Sequence, residues 1–189
     1  ITPWTPETPA LYTLRVTVTA NGTADTAEQR IGIRTIQVSS KTGLLLNGQP
    51  RTMKGGCIHH DLGILGSADH AAAERRRIRL MKESGFDAIR AAHNPFGPAF
   101  LDACDELGML VVEEAFDEWV MGRTSFGLHV TFEQCWEKDL EDMITRDYNH
   151  PCIVMWSTGN EVEERDGTAD GFAWAKRLAN KVRSLDASR

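Results

Sequence analysis

No two cysteines of the 189-residue sequence stand close together. Cys57, Cys104, Cys135 and Cys152 form no C-x-x-C pair, which removes the zinc knuckle and the dithiol redox centre and leaves them as small buried apolar residues. No H-E-x-x-H or comparable helical spacing gathers His and carboxylates, so no metal site is expected. The glycine-rich loops that cradle phosphate, G-x-G-x-x-G and the Walker sequence, are absent as well. Positive charge is scarce, with 21 Lys and Arg against 27 Asp and Glu. The one basic run, Arg75 to Arg77, falls inside a helical pattern and reads as a solvated face. Nucleic-acid affinity rests on clustered cations that release counterions, so no nucleic-acid partner is expected. Nor is a membrane partner, because no apolar run approaches the ~20 residues that cross a bilayer. No signal peptide is visible. The opening "ITPWTPETPALYTL" has no Met, so an export signal could lie upstream; a cytoplasmic setting is favoured, with a periplasmic or secreted one left open.

What is present is an ordinary globular composition, 41% hydrophobic and 25% charged, enough to bury a core. Tyr12, Leu14, Val16 and Val18 alternate with Thr13, Arg15 and Thr17, the period-2 mark of a half-buried strand, and Asn21-Gly22 marks a turn. Ile31 and Ile33, then Ile36 and Val38, continue the alternation, and a short strand pair surrounds Asn47-Gly48. An immunoglobulin-type sandwich needs about seven strands in about 100 residues, so residues 1–40 read as the tail of one. From Lys54 the pattern changes to short apolar strands alternating with helices, which predicts βα units on a parallel sheet over residues 41–189. The strands are "GGCIH", "DAIRAAH", "MLVVEEA" and "IVMWSTGNE". The helices carry Ile78 and Met81 before Gly85; Phe100, Leu101, Cys104 and Leu107 after Pro98; Phe132, Trp136, Leu140, Met143 and Ile144 behind a Thr131/Gln134 capping box; and Phe172, Ala175, Leu178, Val182 and Leu185.

In parallel α/β folds, side chains just past the carboxyl end of each strand face a common surface where sites are built. All four strands end in polar residues: His59-His60-Asp61; Arg90 and His93; Glu113 and Glu114, with Asp117 and Glu118 beyond; and Asn160-Glu161. Taken singly these have plainer readings. Glu113 and Glu114 suit a solvated strand end or partners for Arg and Lys, His59 a structural histidine, and Glu161 a surface carboxylate in the loop that holds Glu163 and Glu164.

Taken in order, the residues carry a family likeness. "RDYNHPCIVMWSTGNE" closely resembles the acid/base signature of glycoside hydrolase family 2, "GFDAIRAAHNP" its R-x-x-H-x-P segment, and "LNGQPRTMKGGCIHHDLGILG" its entry into the first barrel strand. "WTPETPALYTLRV" resembles the end of the sandwich domain that precedes the barrel, and the nearest branch is the β-galactosidases. The resemblance implies a retaining exo-β-glycosidase on a (β/α)8 barrel, cleaving terminal β-galactosides, and a homo-oligomer at full length. It makes Glu161 the general acid/base and gives Asn160 the 2-hydroxyl of the sugar. Arg90 orients the nucleophile, His93 and His59 contact the sugar, and Asp117, Glu118 and Trp119 shape its site. The family's nucleophile is a Glu ending the seventh strand, and the chain stops at Arg189 after the fourth unit, so the sequence reads as a fragment that is expected to be inactive on its own. Two alternatives accompany this reading, a β-glucuronidase of the same family and a catalytically silent carbohydrate-binding or structural piece. No cofactor is expected. Magnesium stays open for a full-length enzyme, since Glu118 matches a metal-ligating Glu of some β-galactosidases although Trp119, Val120 and Met121 follow it.

Overall fold

The computed structural model describes residues 1–189. Two strands, β1 (Tyr12–Ala20) and β2 (Thr23–Ile31), form an antiparallel hairpin, and β3 (Ile36–Ser39), β4 (Gly43–Leu46) and β5 (Gln49–Pro50) form a small antiparallel sheet. Both Asn-Gly turns have positive φ at both residues, the backbone that joins right-twisted strands. The third sheet is parallel, in the order β6 (Gly55–Ile58), β7 (Ala88–Ala91), β8 (Leu110–Glu114), β9 (Ile153–Ser157). Helices α1 (Ala71–Glu83), α2 (Pro98–Leu107) and α3 (Phe132–Asp147) connect successive strands, and α4 (Gly171–Leu185) follows the last. These are four βα units of a TIM barrel, as the alternation of short apolar strands and helical stripes predicts.

The core lies between this sheet and its helices. Phe100, Leu101 and Cys104 of α2 and Leu140 and Ile144 of α3 are buried with Ile89, Val111 and Ile153 of the strands. Each such side chain contributes about 1.5–3 kcal/mol through burial. Gly108 ends α2 at φ +71, and a Cβ there would come to 2.4 Å from the Pro6 carbonyl oxygen, so the position needs glycine for both its backbone and its neighbour. That approach joins the amino-terminal segment to the end of the sheet where the strands begin. Trp4, fully buried, donates its indole N–H to the Asp105 carbonyl at 2.9 Å. Arg34 donates to the carbonyls of Pro151 and Ile153 at 3.0 and 2.6 Å. The opposite end of the sheet, where the strands finish, stays clear for the polar residues.

Several local expectations differ from the structure. The alternation in β1 fixes its pairing, and within residues 1–189 Leu14, Val16 and Val18 are exposed rather than half-buried. Thr131 precedes α3 without a capping hydrogen bond; its hydroxyl donates instead to the Leu128 carbonyl at 3.5 Å, and its φ of −122 and ψ of −2 turn it away from the helix. On α4 the buried face is Gly171, Trp174, Leu178 and Val182, while Phe172 and Ala175 are exposed. Trp174 takes their place by packing edge-on against Phe132 and Trp136 of α3. Arg77 is not solvated like Arg75 and Arg76: it ion-pairs with buried Glu74, donates to the carbonyls of His59 and Asp61, and lies over Phe96 and Phe100. Cys57 is exposed and Cys135 partly so, leaving only Cys104 and Cys152 fully in the core.

Candidate active site

Strand register divides the acids at the end of β8. Arg90 stands opposite Val112, so Glu114, two residues further along β8, projects from the same face as Arg90, and its partner across β9 is Ser157. Glu113 projects from the other face, toward the helices. Neither is a solvated strand end: both are fully buried. Glu114 accepts hydrogen bonds from Arg90 Nε and Nη2 at 3.0 and 2.6 Å, His93 Nδ1 at 2.7 Å and Ser157 Oγ at 2.6 Å. A carboxyl buried so deeply needs its oxygens met by donors. Burial works against the Arg90 cation, but its bonds and proximity to Glu114 outweigh that and raise its pKa. Glu113 has no cation in contact. Burial pushes its pKa up to about 8, one oxygen accepts the Phe96 N–H at 2.7 Å, and the other has no partner.

From this anchored pair the network runs outward. Arg90 Nη2 also donates to Asn160 Oδ1 at 3.0 Å, and Asn160 Nδ2 donates to Asp117 Oδ1 at 3.0 Å. Arg can only donate and an ionised Asp only accept, so the orientation of the buried amide is fixed. Burial raises the Asp117 pKa, but the bonds from Asn160 and Arg123 outweigh it and hold the carboxyl below its ordinary range. Arg123 pairs with Asp117 at 2.5 Å and approaches Glu161 Oε2 at 3.7 Å. Glu161 sits at φ +43, a left-handed backbone that residues with a Cβ rarely adopt, with its side chain 79% exposed. Trp119, buried, donates its indole N–H to the Thr158 carbonyl at 2.7 Å and so ties the loop after β8 to the loop after β9.

A cleft of about 500 Å³ opens over this network. His93, Asn94, Asp117, Glu118, Arg123, Thr124, Gly127, Leu128, Asn160 and Glu161 line it, and Leu128 is its one hydrophobic side chain. Such a lining suits a polyhydroxylated ligand better than an apolar one. His59 stands beside the cleft, edge-on to His93 with ring centroids 4.9 Å apart. The residues that the sequence singles out therefore gather at one place, but not in equivalent positions: Trp119 lies beneath the rim, and Glu118 serves the loop. Its carboxylate accepts the backbone N–H groups of Arg123 and His129, both at 3.1 Å, and meets His129 Nδ1 at 3.0 Å. Burial raises the Glu118 pKa, yet those bonds outweigh it and lower the value. His129 is the one other ligand-type side chain in contact with Glu118, and the group of three such residues that gathers elsewhere does not include it. That group, Asp105, His150 and Cys152, has ligand-type side chains close together, but Asp105 spends its oxygens on His150 Nδ1 at 2.6 Å and the Cys152 N–H at 2.9 Å. Burial pushes the Cys152 thiol well up, which keeps it protonated.

Sequence pattern alone does not single out Ser157, Arg123 or the central role of Glu114. Period 2 along β8 and β9 carries the signal for Glu114 and Ser157; nothing local marks Arg123, which reaches the cleft from within its loop.

Strand-end polar residues over four βα units, an acid at the rim and a polar cleft lie together at the end of a TIM-barrel sheet where sites are built. Comparison with known proteins agrees. The family described as "Glycosyl hydrolases family 2, TIM barrel domain" matches residues 36–189, and "Glycosyl hydrolases family 2" matches residues 1–34. The chain belongs to glycosyl hydrolase family 2. It is 43% identical over 180 residues to a β-galactosidase of Bacteroides ovatus, covering 95% of this chain and 21% of that protein. It is 36% identical over 176 residues to a putative β-glucuronidase of Formosa agariphila, covering 93% and 17% respectively. The crystal structure of a family 2 member from Bacteroides cellulosilyticus superposes with a TM-score of 0.96 at 41% identity, over 100% of this chain and 24% of that one. The chain thus spans about a sixth to a quarter of the length of these relatives.

Proposed function

We propose that this chain carries the acid/base half of a retaining exo-β-glycosidase that releases terminal galactose from β-galactosides. The observation that supports it is the placement of Glu161 at the rim of a polar cleft, next to an Asn160 whose amide is held between Arg90 and Asp117. In this reading Glu161 gives its proton to the glycosidic oxygen as a second carboxylate, about 5–5.5 Å away, attacks the anomeric carbon. The Glu161 carboxylate then takes a proton from the water that releases the sugar. Asn160 presents its amide to the 2-hydroxyl, and His93 and His59 face the remaining hydroxyls. Arg90, held by Glu114, sits on the inner face of the sheet, where it orients the attacking carboxylate. That carboxylate lies outside residues 1–189, so the isolated chain does not hydrolyse glycosides. Residues 1–40 close a sandwich domain in this account, and residues 41–189 begin the barrel.

The full-length enzyme with Glu161→Gln tests the assignment. Its kcat/KM on alkyl or sugar leaving groups falls by about 10²–10⁴-fold, while a dinitrophenyl glycoside, which needs no proton, loses far less. Equal losses on both substrates remove Glu161 from the acid role. The relative named as a putative β-glucuronidase supports a second reading, a uronide substrate. Rates on p-nitrophenyl β-galactoside and β-glucuronide, measured side by side, decide between the two.

A further inference from the structure

Glu164 lies three residues beyond Glu161, in an acidic run whose other members, Glu161 and Glu163, are exposed. Glu164 alone goes inside, at 1% exposure. Burying a carboxylate costs hydration, so a chain that does so at a loop must recover something from the position. Its Oε1 accepts the Met121 N–H at 2.5 Å, and its Oε2 is buried with no hydrogen-bond partner. Met121 belongs to the loop after β8, two residues before Arg123. The backbone beneath Glu164 has little freedom, because the first residue of α4 presses against it: a Cβ at Gly171 would come to 2.1 Å from the Glu164 carbonyl oxygen. Glu164 is therefore a fixed post to which the loop after β8 is fastened.

That loop decides what Glu161 meets. The Glu161 side chain makes no hydrogen bond, and its one ionic neighbour is Arg123 at 3.7 Å. Arg123 is itself bound to its own loop, through the Asp117 carboxylate at 2.5 Å and the Asp117 carbonyl at 3.0 Å. Its distance from Glu161 then depends on how the two loops sit against each other.

We propose that Glu164 is a positioning residue for the acid/base: by holding the loop after β8 at Met121, it sets the separation between Arg123 and Glu161. The proposal rests on the reading of Glu161 as the acid/base. Glu164 touches neither substrate nor reacting atoms, and its effect is exerted through Met121 and Arg123.

The test uses the full-length enzyme with three substitutions. Glu164→Ala removes the acceptor, Glu164→Asp draws it back by one methylene, and Glu164→Gln keeps an oxygen for the Met121 N–H. Each is assayed for kcat and KM on a glycoside with a sugar or alkyl leaving group and on the dinitrophenyl glycoside. The Ala and Asp variants are expected to lose about tenfold to a hundredfold in kcat/KM on the poor leaving group, the scale of a small misplacement of a catalytic group. Their kcat/KM on the dinitrophenyl glycoside, which reports a step that needs no proton, stays near wild type, and Gln restores the lost kcat/KM on the poor leaving group. Equal losses on both substrates, no loss at all, or a Gln variant as impaired as Ala each overturn the proposal. Where the Ala variant does not fold, Asp against Gln makes the same distinction. Glu161→Gln, assayed in parallel, separates the two ideas: no leaving-group dependence there removes the acid reading itself, whereas its presence there and absence in the Glu164 variants removes only the positioning role.

Discussion

The hairpin β1–β2 and the parallel strands β7–β9 treat apolar residues in opposite ways. In the hairpin, nine residue pairs face each other in unbroken register, yet Leu14, Val16 and Val18 are 45%, 50% and 64% exposed. In the parallel sheet, strands of four or five residues put Ile89, Val111 and Ile153 at 1% exposure or less. Backbone pairing is better in the first region and burial in the second. Pairing fixes geometry, whereas stability follows the apolar area removed from water, and only helices lying across a sheet supply that here.

The sharpest way to break this comparison is to remove a side chain from the covered region. Phe100→Ala, in the layer between α2 and the sheet, is expected to cost about 3–5 kcal/mol in urea unfolding. A loss below about 1 kcal/mol would mean that the sheet–helix layer is not what holds the chain. Glu113 probes the same layer through pH. Its folded pKa of about 8 stands above the ordinary 4.5, so the folded state holds a proton that the unfolded chain gives up. The native state therefore loses stability as pH rises between those two values, and no further above them. Glu113→Gln removes that slope: its melting temperature is expected to gain on wild type from pH 5 to pH 8 and then run parallel. A constant difference across that range would place Glu113 as an ordinary ionised acid. A smaller effect is expected at the start of α3. Thr131→Ala should cost under about 0.5 kcal/mol, less than the ~1 kcal/mol typical of a working cap, because no capping bond is lost. Smallest of all, Val16→Thr in the open hairpin should stay within about 0.5 kcal/mol of wild type. A cost like that of Phe100→Ala would show the hairpin face to be covered in solution.

The same contrast explains what could be read from the sequence. The βα succession, the Pro98 start and Gly108 stop of α2, and the gathering of His59, Arg90, His93, Asn160 and Glu161 at one end follow from local spacing. Burial does not. Alternation in β1 shows which side chains share a face but says nothing about whether anything covers it. On α4, Phe172 and Trp174 are both large and apolar, and the partner surface on α3 chose the second. Glu113 and Glu114 look like one solvated pair because their separation across the sheet depends on register with β7 and β9. Glu164 looks like one acid among three, and its bond to Met121 spans 43 residues.

The site also has a reading frame in space. Between Val111 and Val112 the pairing with β9 shifts, so that Val111 faces Ile153 but Val112 faces Met155. This irregularity brings Ser157 opposite Glu114; if the strands ran on in the earlier register, Trp156 would stand there and an indole would replace a hydroxyl beside the buried carboxyl. Substitutions along β9 change the site one contact at a time. A change in the length of the strand before Ser157 changes all of them together, and moves Asn160 and Glu161 with them. Family members that exchange many residues in this strand should keep its count, and directed evolution of the cleft has more to gain from libraries of substitutions than from insertions.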